Sequence, residues 1–314
     1  MIRPTALAAL LAALLLAAPS QAKESCPPPA QAPTLEQAAE GMKGAKDKGA
    51  LWTLTKDGRT SYLYGTIHLG RAEWLYPGPK LLSALKDTGV LAVEVDLTAP
   101  GTREEMMAAM SAGPALALTD ADRARLAKLA ESECIPPGAF DALHPVMQAI
   151  TYSSLIGRRD GLHADFAQEF ALIGIARSAS RPVIGLESIG LQMDVLIPDD
   201  PVEARAAFED ALKELEAPDA RSKLLHTAKV WERGDLEAMD TVEEACQCEP
   251  TPRQREFYRA LNDGRNPGIA QRIAEEHAKG VPILAAVGFL HMTGDQALPK
   301  LLAEMGFEVT RVAY

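Results

Sequence analysis

Two histidines stand in the same short phrase near opposite ends of the chain, Gly65-Thr66-Ile67-His68 and Gly288-Phe289-Leu290-His291. Each phrase closes an apolar run that reads as a strand (SYLYGTIH and PILAAVGFLH), and another glycine follows, Gly70 or Gly294. Imidazole is the commonest metal ligand among side chains and an acid or base near neutral pH. A single histidine at a strand end ordinarily does no more than bond to backbone. The repetition is what points to one site assembled from both ends of the chain.

Two carboxylates join them. Glu94 lies near the end of VLAVEVD and Glu187 follows PVIGL, both short strand-like runs. In open α/β sheets, ligands bind beyond the carboxyl ends of the strands. His68, His291 and Glu94 make a common ligand set for zinc, manganese, iron or cobalt, with positions left open for water or substrate. Glu94 also reads as a solvated strand terminus, and Glu187 as a helix cap or a base. The glycine three residues before each histidine lets a backbone or a ligand approach closely. Arg265-Asn266, between Gly264 and Pro267, reads either as a turn opening a helix or as donors that polarise a carbonyl and stabilise an oxyanion.

The other histidines carry less. His277 sits at a helix C-terminus, where a cation suits the dipole. His226 is mid-helix, His144 precedes Pro145 at a helix start, and in His163-Ala164-Asp165 the aspartate reads as a cap. The chain has no Gly-x-Ser-x-Gly elbow, His-Glu-x-x-His, P-loop or dinucleotide fingerprint, which disfavours those enzyme types.

These residues need elements to hold them. Runs at 51–55 and 61–68, separated by a segment with Asp57-Gly58, predict a hairpin. Further strands are expected at 90–96, 182–186, 282–290 and 307–313. Helices are expected at 34–47, from Pro79 to about 87, through most of 101–178, and from Asp200-Pro201 on to about 279. Strand–helix alternation gives an α/β fold with a mixed, largely parallel sheet and flanking helices. The helical stretches 101–178 and 200–279 exceed what crossovers need and are expected to form a large cap over one edge. Residues 23–49 read as a Pro-rich lead-in and a helix, and 50–314 as one domain.

The 314 residues are 47% hydrophobic, with 43 acidic against 32 basic side chains and a formal net charge of −11. That balance disfavours a nucleic-acid partner. Residues 1–22 read as a signal peptide: Arg3 first, an apolar run from Ala6 to Ala18, then Ser20-Gln21-Ala22 as the cleavage site. No later stretch approaches spanning length, so the expectation is an exported, periplasmic protein without a membrane span. The four cysteines (Cys26, Cys134, Cys246, Cys248) all follow that site, and an even count in an oxidising compartment favours disulfides. Cys246 and Cys248 are too close to bridge each other comfortably, so each is expected to pair with Cys26 or Cys134. A metal-binding Cys-x-Cys is the alternative.

With these residues in view, the chain resembles the TraB/GumN family, whose animal relatives are the Tiki membrane-associated proteases. The markers are Tyr62-Leu63-Tyr64-Gly65-Thr66-Ile67-His68, Glu94, and Val287-Gly288-Phe289-Leu290-His291-Met292-Thr293-Gly294. Gly185-Leu186-Glu187 with Gln192, Trp231 with Gly234-Asp235, Arg265-Asn266 and the terminal Gly306-Phe307-Glu308-Val309 also line up. Two departures are modest: Gly161-Leu162-His163-Ala164-Asp165 replaces the usual Gly-x-Asp, and Met292 replaces Leu. The resemblance spans about residues 50–314. It implies a metal-dependent hydrolase acting on peptides or a small-molecule substrate, on a scaffold shared with erythromycin-esterase-like and ChaN-like haem-binding proteins. In that reading His68, Glu94 and His291 hold the ion, Glu187 is base or outer partner, and Arg265 and Asn266 stabilise the oxyanion. The alternative is a non-catalytic binding protein for haem, metal or peptide.

Overall fold

β1 (Ala50–Lys56) and β2 (Arg59–Thr66) form the expected hairpin, closed by Asp57 and Gly58 at φ 52° and 71°. Left-handed backbone at both turn residues matches the twist of the flanking strands, and Asp-Gly adopts it readily. The computed structural model describes residues 26–241, 243, 244 and 249–314. The expected signal peptide and the Cys246-x-Cys248 pair lie outside the described residues.

β3 (Val90–Val93), β4 (Val183–Gly185), β5 (Ile283–Gly288) and β6 (Glu308–Arg311) complete a six-stranded sheet in the order β4-β3-β5-β2-β1-β6. The first four neighbours are parallel, and β1 is antiparallel to both β2 and β6. The sheet is therefore mixed and largely parallel. β5 is interior and buried along its whole length. An interior strand of a parallel sheet is covered on both faces, which is why its sequence is an unbroken apolar run. Because β2, β3, β4 and β5 run the same way, their carboxyl ends share one rim.

The helices in chain order are α1 (Leu35–Gly44), α2 (Pro79–Asp87), α3 (Thr102–Ser111), α4 (Asp120–Ser132), α5 (Pro145–Leu155) and α6 (Gln168–Ser178). There follow α7 (Ile189–Leu196), α8 (Pro201–Glu216), α9 (Ala220–Arg233), α10 (Pro252–Leu261), α11 (Asn266–Ala278) and α12 (Leu298–Glu304). The main core joins the strands to Leu81 of α2, Leu172 of α6, Trp231 of α9, Ile269 of α11 and Leu298 of α12. Two smaller clusters lie apart from it. One joins α4, α5 and α8 through Leu126, Tyr152 and Phe208, and the other gathers Met147, Ile189, Met193 and Ile197 beside Val95. The stretches expected to form the cap thus divide: α6, α9 and α11 serve the sheet, while α3, α4, α5, α7 and α8 make the outlying layer. An amphipathic pattern shows that a helix has a partner without showing which one.

Cys26 is bonded to Cys134, which overturns the expected pairing of each with Cys246 or Cys248. The bond fixes the Pro-rich lead-in to the turn after α4. Cysteine spacing bounds the possible pairings and cannot choose among them.

The outlying layer carries an acid-sensitive clasp. Thr119 and Asp122 form the capping box of α4, and Arg205 of α8 grips the Asp122 carboxylate at 2.8 and 3.0 Å. The hydrogen bonds from Arg205, aided by Thr119, lower the Asp122 carboxyl to about 2 against the opposing effect of burial. An unfolded aspartate titrates near 3.9. The stability this contributes is therefore present above about pH 4 and lost as pH falls toward about 2. Thermal unfolding should show wild type losing more Tm than Asp122→Asn between pH 5 and pH 3; equal losses would show that the clasp is not the sensor.

Candidate functional site

The common rim brings the four strand-end groups together. His68 lies two residues beyond β2, Glu94 one beyond β3, and Glu187 two beyond β4. His291 was expected at a strand end. Instead β5 stops at Gly288, and a single 3-10 turn, Phe289–Met292, carries the histidine back over the rim. The two Gly-x-x-His phrases are also offset by one residue, since Gly288 pairs with Thr66 and Gly65 with Val287.

That offset gives the two glycines different tasks. A Cβ on Gly65 would come 2.8 Å from the Phe289 ring, so the first glycine lets the second phrase pack against it. A Cβ on Gly288 would stand 3.1 Å from Glu94 Oε1, 3.3 Å from His68 Nε2 and 3.6 Å from His291 Cδ2. The missing side chain leaves a small space bounded by all three groups.

Glu94 is the hub. Its Oε1 accepts from Gly288 N–H at 2.7 Å and lies 3.9 Å from His68 Nε2 and 4.0 Å from His291 Nε2. Its Oε2 accepts from Arg265 Nη2 at 2.8 Å and Gln192 Nε2 at 3.1 Å. Burial pushes the carboxyl up, but the two imidazoles, Arg265 and the Gly288 N–H outweigh it and bring it down to about 2. Glu94 is ionised.

Asn266 settles the state of His291. Its Nδ2 donates to the carbonyls of His291 and Gln296 at 3.1 and 2.8 Å, so Oδ1 must be the acceptor facing His291 Nδ1 at 2.5 Å. His291 Nδ1 therefore carries the hydrogen. Burial holds this imidazole down at about 4, despite the attraction of Glu94, so at pH 7 it is neutral with a bare Nε2 lone pair. His68 is oriented in the same sense but is charged. Its Nδ1 lies 3.0 Å from Glu169 Oε1, and the Glu169 carboxylate raises the ring to about 9, so at pH 7 both nitrogens carry hydrogens and Nε2 must give one up before it can bind an ion. Unlike the others, the His68 side chain is 67% exposed, which makes it the open side of the site.

Arg265 joins the two carboxylates. Its Nε and Nη2 grip Glu187 at 2.9 and 2.5 Å, and Nη2 also reaches Glu94. All three side chains are buried. Both Glu187 oxygens are committed to the guanidinium, and Asn266 is enclosed with its amide fully used.

Glu169 was not singled out from the sequence. It sits in the first turn of α6, where the helix dipole favours a carboxylate in any protein, so its type carried no signal. Its placement is firm: Gln168 N–H bonds to Ile67 O at 3.1 Å, and Gln168 Nε2 bonds to Trp74 O. Glu169 Oε1 also accepts from Thr66 Oγ1, while Oε2 is buried with no partner. Among the described residues, no three His, Cys, Asp or Glu side chains are gathered closely enough to hold a metal ion as they stand.

Comparison with known proteins agrees with this frame. The family model described as TraB/PrgY/gumN matches residues 50–311, from the first residue of β1 to the last of β6. The chain belongs to the TraB/PrgY/gumN family. The uncharacterized protein YbaP of Shigella flexneri is 25% identical over 256 residues, covering 78% of this chain and 88% of its own length. YbaP of Escherichia coli K12 matches to the same extent. No solved structure gives a significant match. TraB/PrgY/gumN membership is consistent with a hydrolase-like role. Among the described residues no helix is long and apolar enough to cross a membrane.

Proposed function

We propose that this TraB/PrgY/gumN protein is an exported, periplasmic, metal-dependent hydrolase acting on peptides, with His68, His291 and Glu94 as its metal ligands. The single observation that carries the reading is the orientation of the two imidazoles. Each has Nδ1 tied outward, to Glu169 or Asn266, and Nε2 turned toward the same Glu94 oxygen. Outer partners of this kind fix the ring and tautomer of metal-binding histidines.

The residues fit a divalent ion in chemistry and nearly in spacing. Bonds of about 2.0–2.2 Å set tetrahedral ligand atoms about 3.4 Å apart. The imidazole nitrogens stand 3.9 and 4.0 Å from Glu94 Oε1, so a closure of roughly half an ångström is needed. Gly288 leaves room for it, and His68, exposed on its outer side, closes by a small shift that keeps its contact with Glu169. Two nitrogens and a carboxylate suit manganese, cobalt or zinc. Such an ion supplies a Lewis acid and an acidified water at neutral pH.

The protein's own groups do the rest. Arg265 helps to keep Glu94 ionised and holds both Glu94 and Glu187 in place, and Gln192 fixes the second Glu94 oxygen. In this reading Glu187 is a positioning residue, because both its oxygens lie on the Arg265 fork, and Asn266 positions His291 rather than meeting substrate. Glu169, whose Oε2 alone among the site's carboxylate oxygens has no partner, takes the proton-holding role first expected of Glu187. A mixed, largely parallel sheet with flanking helices is compatible with an erythromycin-esterase-like or ChaN-like scaffold, and the Cys26–Cys134 bond suits an oxidising compartment.

Two measurements follow. A peptide library incubated with the mature protein and manganese, cobalt or zinc should show turnover that chelation removes; tight peptide binding without turnover under every metal would favour a binding protein instead. Glu169→Gln should weaken metal binding by about 10–100-fold, the usual effect of removing an outer partner. Unchanged affinity in that variant would sever Glu169 from the site.

A further inference from the structure

Beside the crevice lies a cavity of about 370 Å³, lined among others by Pro28, Pro29, Arg71, Glu73, Gly161 and His163. One wall is the Pro-rich lead-in, held in place by the Cys26–Cys134 bond. His163, another lining residue, is tied to the chain after His68 by a two-way backbone bridge, Gly70 N–H to His163 O at 3.0 Å and His163 N–H to Gly70 O at 2.8 Å. That bridge follows directly on His68. Three residues of chain place the Arg71 Cα no more than about 11 Å from the His68 Cα.

Among the described residues, two polar groups in this cavity have no hydrogen-bonding acceptor. The Arg71 guanidinium stacks over Trp74 at 5.7 Å, with no carboxylate in ion-pair range among the described residues. In an acidic chain, a partly enclosed guanidinium without an anion stands out. His163 is 6% exposed, its ring edge-on to Phe166, and its ring nitrogens have no hydrogen-bond partner among the described residues. The expectation that Asp165 caps the turn does not hold, since no side chain caps it. A nine-tenths buried imidazole with no hydrogen bond among the described residues, lining a cavity beside a guanidinium that meets no carboxylate there, makes a donor pair open to an acceptor. Glu73 lines the same cavity and is exposed, so it faces solvent rather than neutralising Arg71 at close range.

We propose that this cavity is a carboxylate-binding subsite, in which Arg71 and His163 hold the C-terminal carboxylate of a peptide whose chain runs on into the His68–Glu94–His291 crevice. The proposal rests on the peptidase reading for its ligand. A planar guanidinium binds a carboxylate through two parallel hydrogen bonds, and a neutral amide in its place forfeits one acceptor and the charge.

The test is calorimetric and needs no turnover. Metal-free mature protein is titrated with N-acetyl-tetraalanine as the free acid, with its C-terminal amide, and with acetate. The free acid should bind at least about tenfold tighter than the amide, one charge-assisted hydrogen bond or more. Arg71→Gln should erase that difference and leave amide binding unchanged, while Arg71→Lys retains part of it; thermal melts check that each variant is folded. Equal affinity for acid and amide in wild type overturns the proposal, as does a preference that survives in Arg71→Gln. Acetate binding as tightly as the peptide acid overturns the peptide assignment. Preference for the acid without hydrolysis under any metal would sink the peptidase reading and leave the subsite standing; hydrolysis without preference does the reverse.

Discussion

Glu94→Gln is expected to lose metal and activity together. Glu94 Oε1 is the one atom that both imidazole nitrogens face, and its anionic form is favoured by those imidazoles, Arg265 and the Gly288 N–H. An amide oxygen is a much poorer ligand for a divalent ion than a carboxylate. The substituted amide must also turn one N–H toward groups that are themselves donors: Arg265 and Gln192 on one side, Gly288 on the other. Metal content by elemental analysis and hydrolysis rate should both fall to background, while Glu187→Gln keeps its metal. Full occupancy in Glu94→Gln would remove Glu94 from the ligand set.

Arg265→Met should have the largest effect on stability. The guanidinium lies between two buried carboxylates and bonds to both. Removing it leaves Glu94 and Glu187 as buried like charges with no cation between them. Breaking a buried ion pair by deleting one partner costs about 3–5 kcal/mol. Urea unfolding at pH 7 should show that loss as a lowered midpoint, and Arg265→Lys should lose less, keeping the charge without the planar fork. An unchanged midpoint in Arg265→Met would mean that the carboxylates are held by something else.

Much of the site was legible because strand ends in a parallel sheet must share a rim. His68, Glu94, Glu187 and His291 each close a recognisable apolar run, and parallel pairing brings such ends together without any knowledge of the loops. Arg265 and Asn266 were legible as residue types but not by role. Whether a guanidinium meets a substrate or two carboxylates depends on how α11 docks, and nothing local encodes that. Glu169 was hidden because an acidic residue in a helix's first turn is ordinary. The hairpin at Asp57-Gly58 could be read from turn chemistry alone, while the Cys26–Cys134 pairing depends on where the lead-in crosses the outlying layer. The division of helices between sheet and outer layer was likewise beyond a period of 3.6 residues, which reports an apolar face and not its partner.

The central claim is that one ion is held between the two Gly-x-x-His phrases. The most direct test is the metal content of the purified mature protein, measured for wild type, His68→Ala and His291→Ala after loading with manganese, cobalt or zinc and removal of excess. The account predicts one ion per chain in wild type and near-complete loss in each variant. Full occupancy in both variants would contradict it.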